Sequence, residues 1–161
     1  MSENSNADHV RIERVVDAPI ETVWQMWADP EHFAAWYGPM GATIPTAEMD
    51  VREGGRRFIK MAMDTPNGPM EMFFVGEYRE VSAPSRRRYS ESVADADGNP
   101  KSPADMGMPD GHPMETEVVV ELEADGERTR MVLSHHGVPA DSPGGMGWKM
   151  ALDKLEQRLA G

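Results

Sequence analysis

The chain has 161 residues, with 28 acidic against 16 basic side chains, a formal charge of −12 and no cysteine. That length suits one domain with one core, and a chain without cysteine has no disulfide, thiolate metal site or cysteine nucleophile. The acidic balance repels phosphate backbones and anionic lipid headgroups, so neither nucleic acid nor a membrane is expected as a partner.

No apolar run approaches the ~20 residues that cross a bilayer. The first residues lack the basic and apolar regions of a secretory signal. A cytoplasmic location is therefore expected, with residues 1–8 as a disordered polar tail and 9–161 as one domain.

His9 to Asp17 alternates, with Val10, Ile12 and Val16 on one side, and predicts a strand. Asp17-Ala18-Pro19 offers a cap and a first-turn proline to a helix carrying Ile20, Val23, Trp24 and Trp27. Asp29-Pro30 ends that helix and opens a short second one to Trp36. A strand is expected near Ala42–Val51, then a turn in which Gly54 and Gly55 supply positive φ. Two long strands follow around the turn Thr65-Pro66-Asn67-Gly68, with Ile59, Met61 and Met63 on one face of the first. Met70, Met72, Phe74, Gly76 and Tyr78 share one face of the second. Ala83-Pro84-Ser85 turns the chain into a strand from Arg86 to Val93.

Residues 94–113 are rich in Gly, Pro, Asp and Ser and predict a long mobile loop. Val118, Val120 and Leu122 alternate with Glu117, Glu121 and Glu123 in an amphipathic strand. Asp125-Gly126 turns it into another, Arg128 to His136, with Met131, Leu133 and His135 on one face. After Pro143-Gly144-Gly145, Trp148, Ala151, Leu152, Leu155 and Leu159 form the apolar stripe of a final long helix. A run of hairpins between helices gives an α+β fold with an antiparallel sheet, and the last helix must bury its stripe on that sheet.

Four segments in order carry a resemblance. They are Arg14-x-x-Asp17-Ala18-Pro19-x-x-x-Val23-Trp24, Asp29-Pro30-Glu31-His32-Phe33-x-x-Trp36-Tyr37-Gly38-Pro39, Asp50-x-Arg52-x-Gly54-Gly55-x-x-Phe58 and Gly147-Trp148-x-x-x-Leu152-x-x-Leu155. Between them lie Gly76-x-Tyr78-x-x-Val81 and Thr129-x-x-x-Leu133-x-His135-x-Gly137. Together they resemble the bacterial SRPBCC proteins related to the ATPase activators of the ninety-kilodalton heat-shock chaperone. The resemblance implies the helix-grip (START-like) fold, in which a curved antiparallel sheet of six or seven strands wraps the long C-terminal helix. That superfamily holds lipid and hormone binders, aromatic polyketide cyclases and co-chaperones, so the fold does not fix the function.

None of the five histidines shows the spacing that places two metal ligands on one helix face, and no metal or other cofactor is expected. No nucleophile elbow or phosphate loop is present. Arg56-Arg57 and Arg86-Arg87-Arg88 read as solvated strand ends. Asp50 and Arg52 read as a structural ion pair. Inward methionines and aromatic residues suggest an adaptable apolar pocket. Its candidate lining is Trp24, Trp36, Met61, Met63, Met72, Phe74, Tyr89, Met131, His135 and Trp148. The first expectation is a hydrophobic or amphipathic small-molecule ligand held between sheet and C-terminal helix. Alternatives are a cyclase or hydrolase-like enzyme using Tyr89 with His135, and a chaperone-activating partner role. A homodimer is compatible with the sequence, although no self-complementary motif marks one.

Overall fold

The computed structural model describes residues 9–101 and 115–160. Among them the elements run β1 (Val10–Val16), α1 (Ile20–Ala28), α2 (Pro30–Trp36), β2 (Thr43–Met49), β3 (Arg56–Thr65), β4 (Gly68–Ser82), β5 (Arg86–Ala94), β6 (Thr116–Asp125), β7 (Arg128–His136) and α3 (Pro143–Ala160). The strands form one antiparallel sheet in the order β1-β7-β6-β5-β4-β3-β2, curled into a half-barrel with the helices on its concave side. This is the expected helix-grip arrangement.

Alternation decides which side chains face inward. In register, Ile59 pairs with Phe74 and Met61 with Met72 across β3 and β4. Tyr89 pairs with Val118, and Val120 with Leu133, further along the sheet. The helices cover this face with Val23, Trp27, Phe33, Trp36, Leu152 and Leu155, all fully buried. On the solvent face, cross-strand pairs join Arg88 to Glu117 at 2.8 Å and Arg130 to Glu13 at 2.6 Å, and Arg86 also bonds Glu121. Those pairs account for the acidic residues opposite the apolar positions, each worth up to about 1 kcal/mol.

The local punctuation differs from expectation in three places. Asp17 does not cap α1: Pro19 is its N-cap residue with no side-chain bond, and the Pro19 carbonyl receives the Val23 amide. Gly54 has the expected positive φ of 84°, but Gly55 does not; a Cβ there would lie 1.9 Å from the Asp50 carbonyl oxygen. Gly55 therefore serves a close backbone approach rather than a left-handed turn. Gly144 and Gly145 lie inside the first turn of α3 rather than before it. The Asp29 side chain caps α2 as its position implies, accepting from the Glu31 and His32 amides. Asp50 and Arg52 form their ion pair at 2.8 Å in the exposed turn before β3.

Residues 95–101 fold back on β5. The Asp95 carboxylate accepts from the Asp97 and Asn99 amides, and the Lys101 amide donates to the Val93 carbonyl. Residues 102–113 of the expected long loop lie outside the described residues. Helix α3 is tied at both sides. Arg14 of β1 donates to Asp153 and Glu156 at 2.6 and 2.8 Å, and Lys154 donates to the Tyr37 and Pro39 carbonyls beyond α2. Partial burial holds the Lys154 ammonium below its ordinary pKa. No helix among the described residues is long and apolar enough to cross a membrane.

Candidate ligand site

The middle of the concave face is charged. Arg57 on β3 and Arg87 on β5 are 1% and 0% exposed, so neither is the solvated strand end its sequence context suggests. Each shares the parity of its strand's core residues, Arg57 with Ile59 and Met61, Arg87 with Tyr89 and Val93. Glu91, two residues beyond Tyr89, is buried on the same face.

Glu91 receives Arg57 Nη1 at 3.1 Å and the Tyr37 hydroxyl at 3.3 Å, both on Oε2. The Arg57 guanidinium also lies 4.1 Å from the Tyr89 ring centroid. Burial works against its charge, but the oxygens of Tyr89, Tyr78, Glu91 and Tyr37 outweigh that and raise its pKa. Burial likewise raises the phenols, Tyr37 well above its usual value and Tyr89 to about 12.

Arg87 has no such carboxylate. Its guanidinium sits 5.2–5.4 Å from the ring centroids of Trp27, Tyr78 and Tyr89. Burial lowers its pKa, the nearby Tyr78 and Tyr89 oxygens only partly oppose this, and the charge on Arg57 adds to the lowering. Tyr89 is close enough to favour the charge, yet no partner of Arg87 meets hydrogen-bond geometry: Nε, Nη1 and Nη2 are all buried and unbonded. The same holds for Arg57 Nε and Nη2, the Tyr78 and Tyr89 hydroxyls, and the Trp27 indole nitrogen. Native interiors seldom leave such groups unpaired.

Beside this cluster runs a chain of hydrogen bonds through His135. Trp148 Nε1 donates to His135 Nδ1 at 2.9 Å, so Nδ1 carries no proton. His135 Nε2 lies 2.8 Å from Thr116 Oγ1, and that hydroxyl donates to the Glu91 backbone carbonyl at 3.2 Å. The chain fixes His135 as the neutral Nε2–H tautomer, with Glu91 Oε1 3.8 Å away. Tyr89 and His135 are not hydrogen-bonded, because the Tyr89 hydroxyl has no partner.

Of the ten residues expected to line a pocket, Tyr89, His135 and Trp148 fall in or beside this centre. Met61 and Phe74 are buried on β3 and β4, with Met63 and Met72 half-buried beyond them. Met131 lies towards the β1 side, in register with Arg14 and Leu122, and Trp24 is buried on α1. The Trp36 indole donates to the Met26 carbonyl at 2.8 Å and ties α2 to α1. Arg57, Arg87, Glu91 and Thr116 were missed. Their inward parity was the available signal, overridden by the expectation that charged residues face water.

The sequence profile described as "Activator of Hsp90 ATPase homolog 1-like protein" matches residues 17–160. The chain belongs to this family. No match to a curated protein was found. Among solved structures, the AHSA1-like chain is similar to protein CV1439 from Chromobacterium violaceum, with TM-score 0.76, 24% identity, and 96% of this chain and 98% of that one covered. It is also similar to protein Ms6760 from Mycobacterium smegmatis (TM-score 0.76, 22% identity, 96% and 91% covered). A third likeness is the AHSA1 protein from Silicibacter pomeroyi (TM-score 0.72, 21% identity, 94% and 97% covered). These likenesses establish the fold, and with the family they place the AHSA1-like chain among START-like domains.

Proposed function

We propose that this chain binds a small amphipathic molecule in its interior, between the concave face of the sheet and α3. One observation carries the reading: seven nitrogen and oxygen atoms of Arg57, Arg87, Tyr78 and Tyr89 are buried without hydrogen-bond partners beneath an aromatic layer. Each such group costs roughly 1–3 kcal/mol relative to a paired one. A domain needing only a packed core would be more stable with apolar residues there. A ligand with a polar head and an apolar body fits both the unpaired donors and the rings of Trp27, Phe33, Tyr37 and Trp148 around them. Those polar atoms have essentially no solvent contact, so side chains must shift to admit the ligand.

The enzymatic alternative has less support, because His135 is committed at both ring nitrogens and Tyr89 does not reach it. The test is native mass spectrometry of the protein purified from its host, followed by denaturing extraction. A defined small molecule in the native protein, lost when Phe74→Trp narrows the interior, supports the reading. An empty protein that also binds nothing from a panel of amphipathic acids, amides and alcohols overturns it.

A further inference from the structure

The charge inside the half-barrel does not balance. Two guanidinium groups face one carboxylate among the buried residues of the concave face, and that carboxylate, Glu91, is engaged by Arg57 and Tyr37. One positive charge remains, on Arg87, with three unbonded nitrogens and no carboxylate beside it. Aromatic faces attract the cation but cannot accept its hydrogen bonds.

From this we infer that the ligand is an aryl monocarboxylate, with its carboxylate on Arg87 and its ring among the surrounding aromatic side chains. The inference rests on the interior-binding reading above and names the ligand's chemistry. A carboxylate matches the guanidinium fork with two parallel hydrogen bonds. The Tyr78 and Tyr89 rings flank Arg87, and their hydroxyls, buried without a partner of hydrogen-bond geometry, supply further donors. A single negative charge neutralises the excess. A dianion reverses it inside a chain whose formal charge is already −12. A cation meets Arg87 directly, and a neutral carbonyl leaves the charge uncompensated. For the body of the ligand, Trp27, Tyr78 and Tyr89 surround the guanidinium, and Trp148 lies 6.0 Å from Trp27, centroid to centroid. A flat ring stacks in such surroundings better than a flexible alkyl chain, which loses more rotational freedom on binding.

The experiment compares naphthalene-2-carboxylate with naphthalene-2-carboxamide by calorimetry and thermal shift on the full chain, with chloride and acetate as small-anion controls. The acid is expected to bind at least about tenfold more tightly than the amide, the size of one hydrogen bond to a charged group. Arg87→Met is expected to abolish that preference while its circular dichroism stays native. Tyr78→Phe is expected to weaken the acid more than the amide and serves if Arg87→Met does not fold. Equal affinity for acid and amide, or an undiminished preference in the variants, overturns the carboxylate assignment and leaves interior binding standing. Chloride or acetate reproducing the full thermal shift overturns the aryl part in favour of a simple anion site. Failure of both naphthalene compounds to bind overturns the inference for this ligand class, and the extraction experiment then decides separately whether the interior binds anything.

Discussion

Arg87, the second residue of β5, has three aromatic rings about it and no anion. In the unliganded protein its burial is a cost: a charge taken from water and left without a hydrogen-bonded partner. Arg87→Met keeps most of the volume and removes the charge. Chemical denaturation is expected to show the variant more stable than the parent by about 1–3 kcal/mol, with a melting temperature several degrees higher. Glu91 has the opposite sign. Glu91→Ala leaves two buried guanidinium groups uncompensated and is expected to destabilise by about 3–5 kcal/mol. The double replacement Arg57→Met with Glu91→Leu removes the pair together and is expected to recover most of that loss in the same denaturation assay, because no uncompensated charge is added.

Between residue and fold, the short helix α2 depends on its cap. Asp29 accepts from two amides at its N-terminus, at 2.9 and 3.3 Å, while Pro30 presets the first turn. Asp29→Ala is expected to cost about 1 kcal/mol in urea denaturation. Its consequence reaches the site, because α2 carries Phe33 and leads into Tyr37, which lie over Arg57 and bond Glu91 respectively. Helix α3 is held differently, by Arg14 on one side and Lys154 on the other, and by the Trp148–His135 bond at its buried face. Its position is thus set by polar contacts at several points as well as by the Leu152 and Leu155 stripe.

For the molecule as a whole, the buried phenols predict an alkaline limit. Tyr89 keeps its proton to about pH 12 in the folded state, whereas an unfolded tyrosine releases it near 10. The folded pKa is raised, so this contribution is fully present below pH 10 and is lost as pH climbs from about 10 to 12. Urea unfolding at pH 9 and 11 is expected to show a clear loss, with the Tyr89 share approaching about 3 kcal/mol at pH 12. Tyr37, shifted upward for the same reason, adds to it. Tyr89→Phe is expected to flatten this limb. A bound ligand also stabilises globally, by about 2.7 kcal/mol at a hundredfold excess over its dissociation constant.

Periodicity and turn chemistry were enough for the order of strands and helices, the break at Asp29-Pro30, the inward Met61 and Met131 and the buried face of the Trp148 helix, whereas Met70, expected on the same inward face, is exposed. These are local or one-dimensional facts: alternation of period two, a stripe of period 3.6 and the chemistry of turn residues. The family resemblance, spread over many short segments, supplied the helix-grip arrangement. The caps and glycines were half legible. Asp17 and Gly55 depend on where the neighbouring backbone goes, and Gly55 is explained only by the Asp50 carbonyl 1.9 Å from where its Cβ would lie. The site's centre was the least legible part. Arg57 and Arg87 lie in runs of arginine, and the inward parity of Arg57 with Ile59 and Met61 was legible, but parity does not show that an interior would accept a charge. The tertiary structure decided that, because curling the sheet brings β3, β5, β6 and β7 around one interior and the helices then seal it. There the arginines, tyrosines and Glu91 meet, and among the described buried residues Arg87 is the guanidinium with no carboxylate beside it.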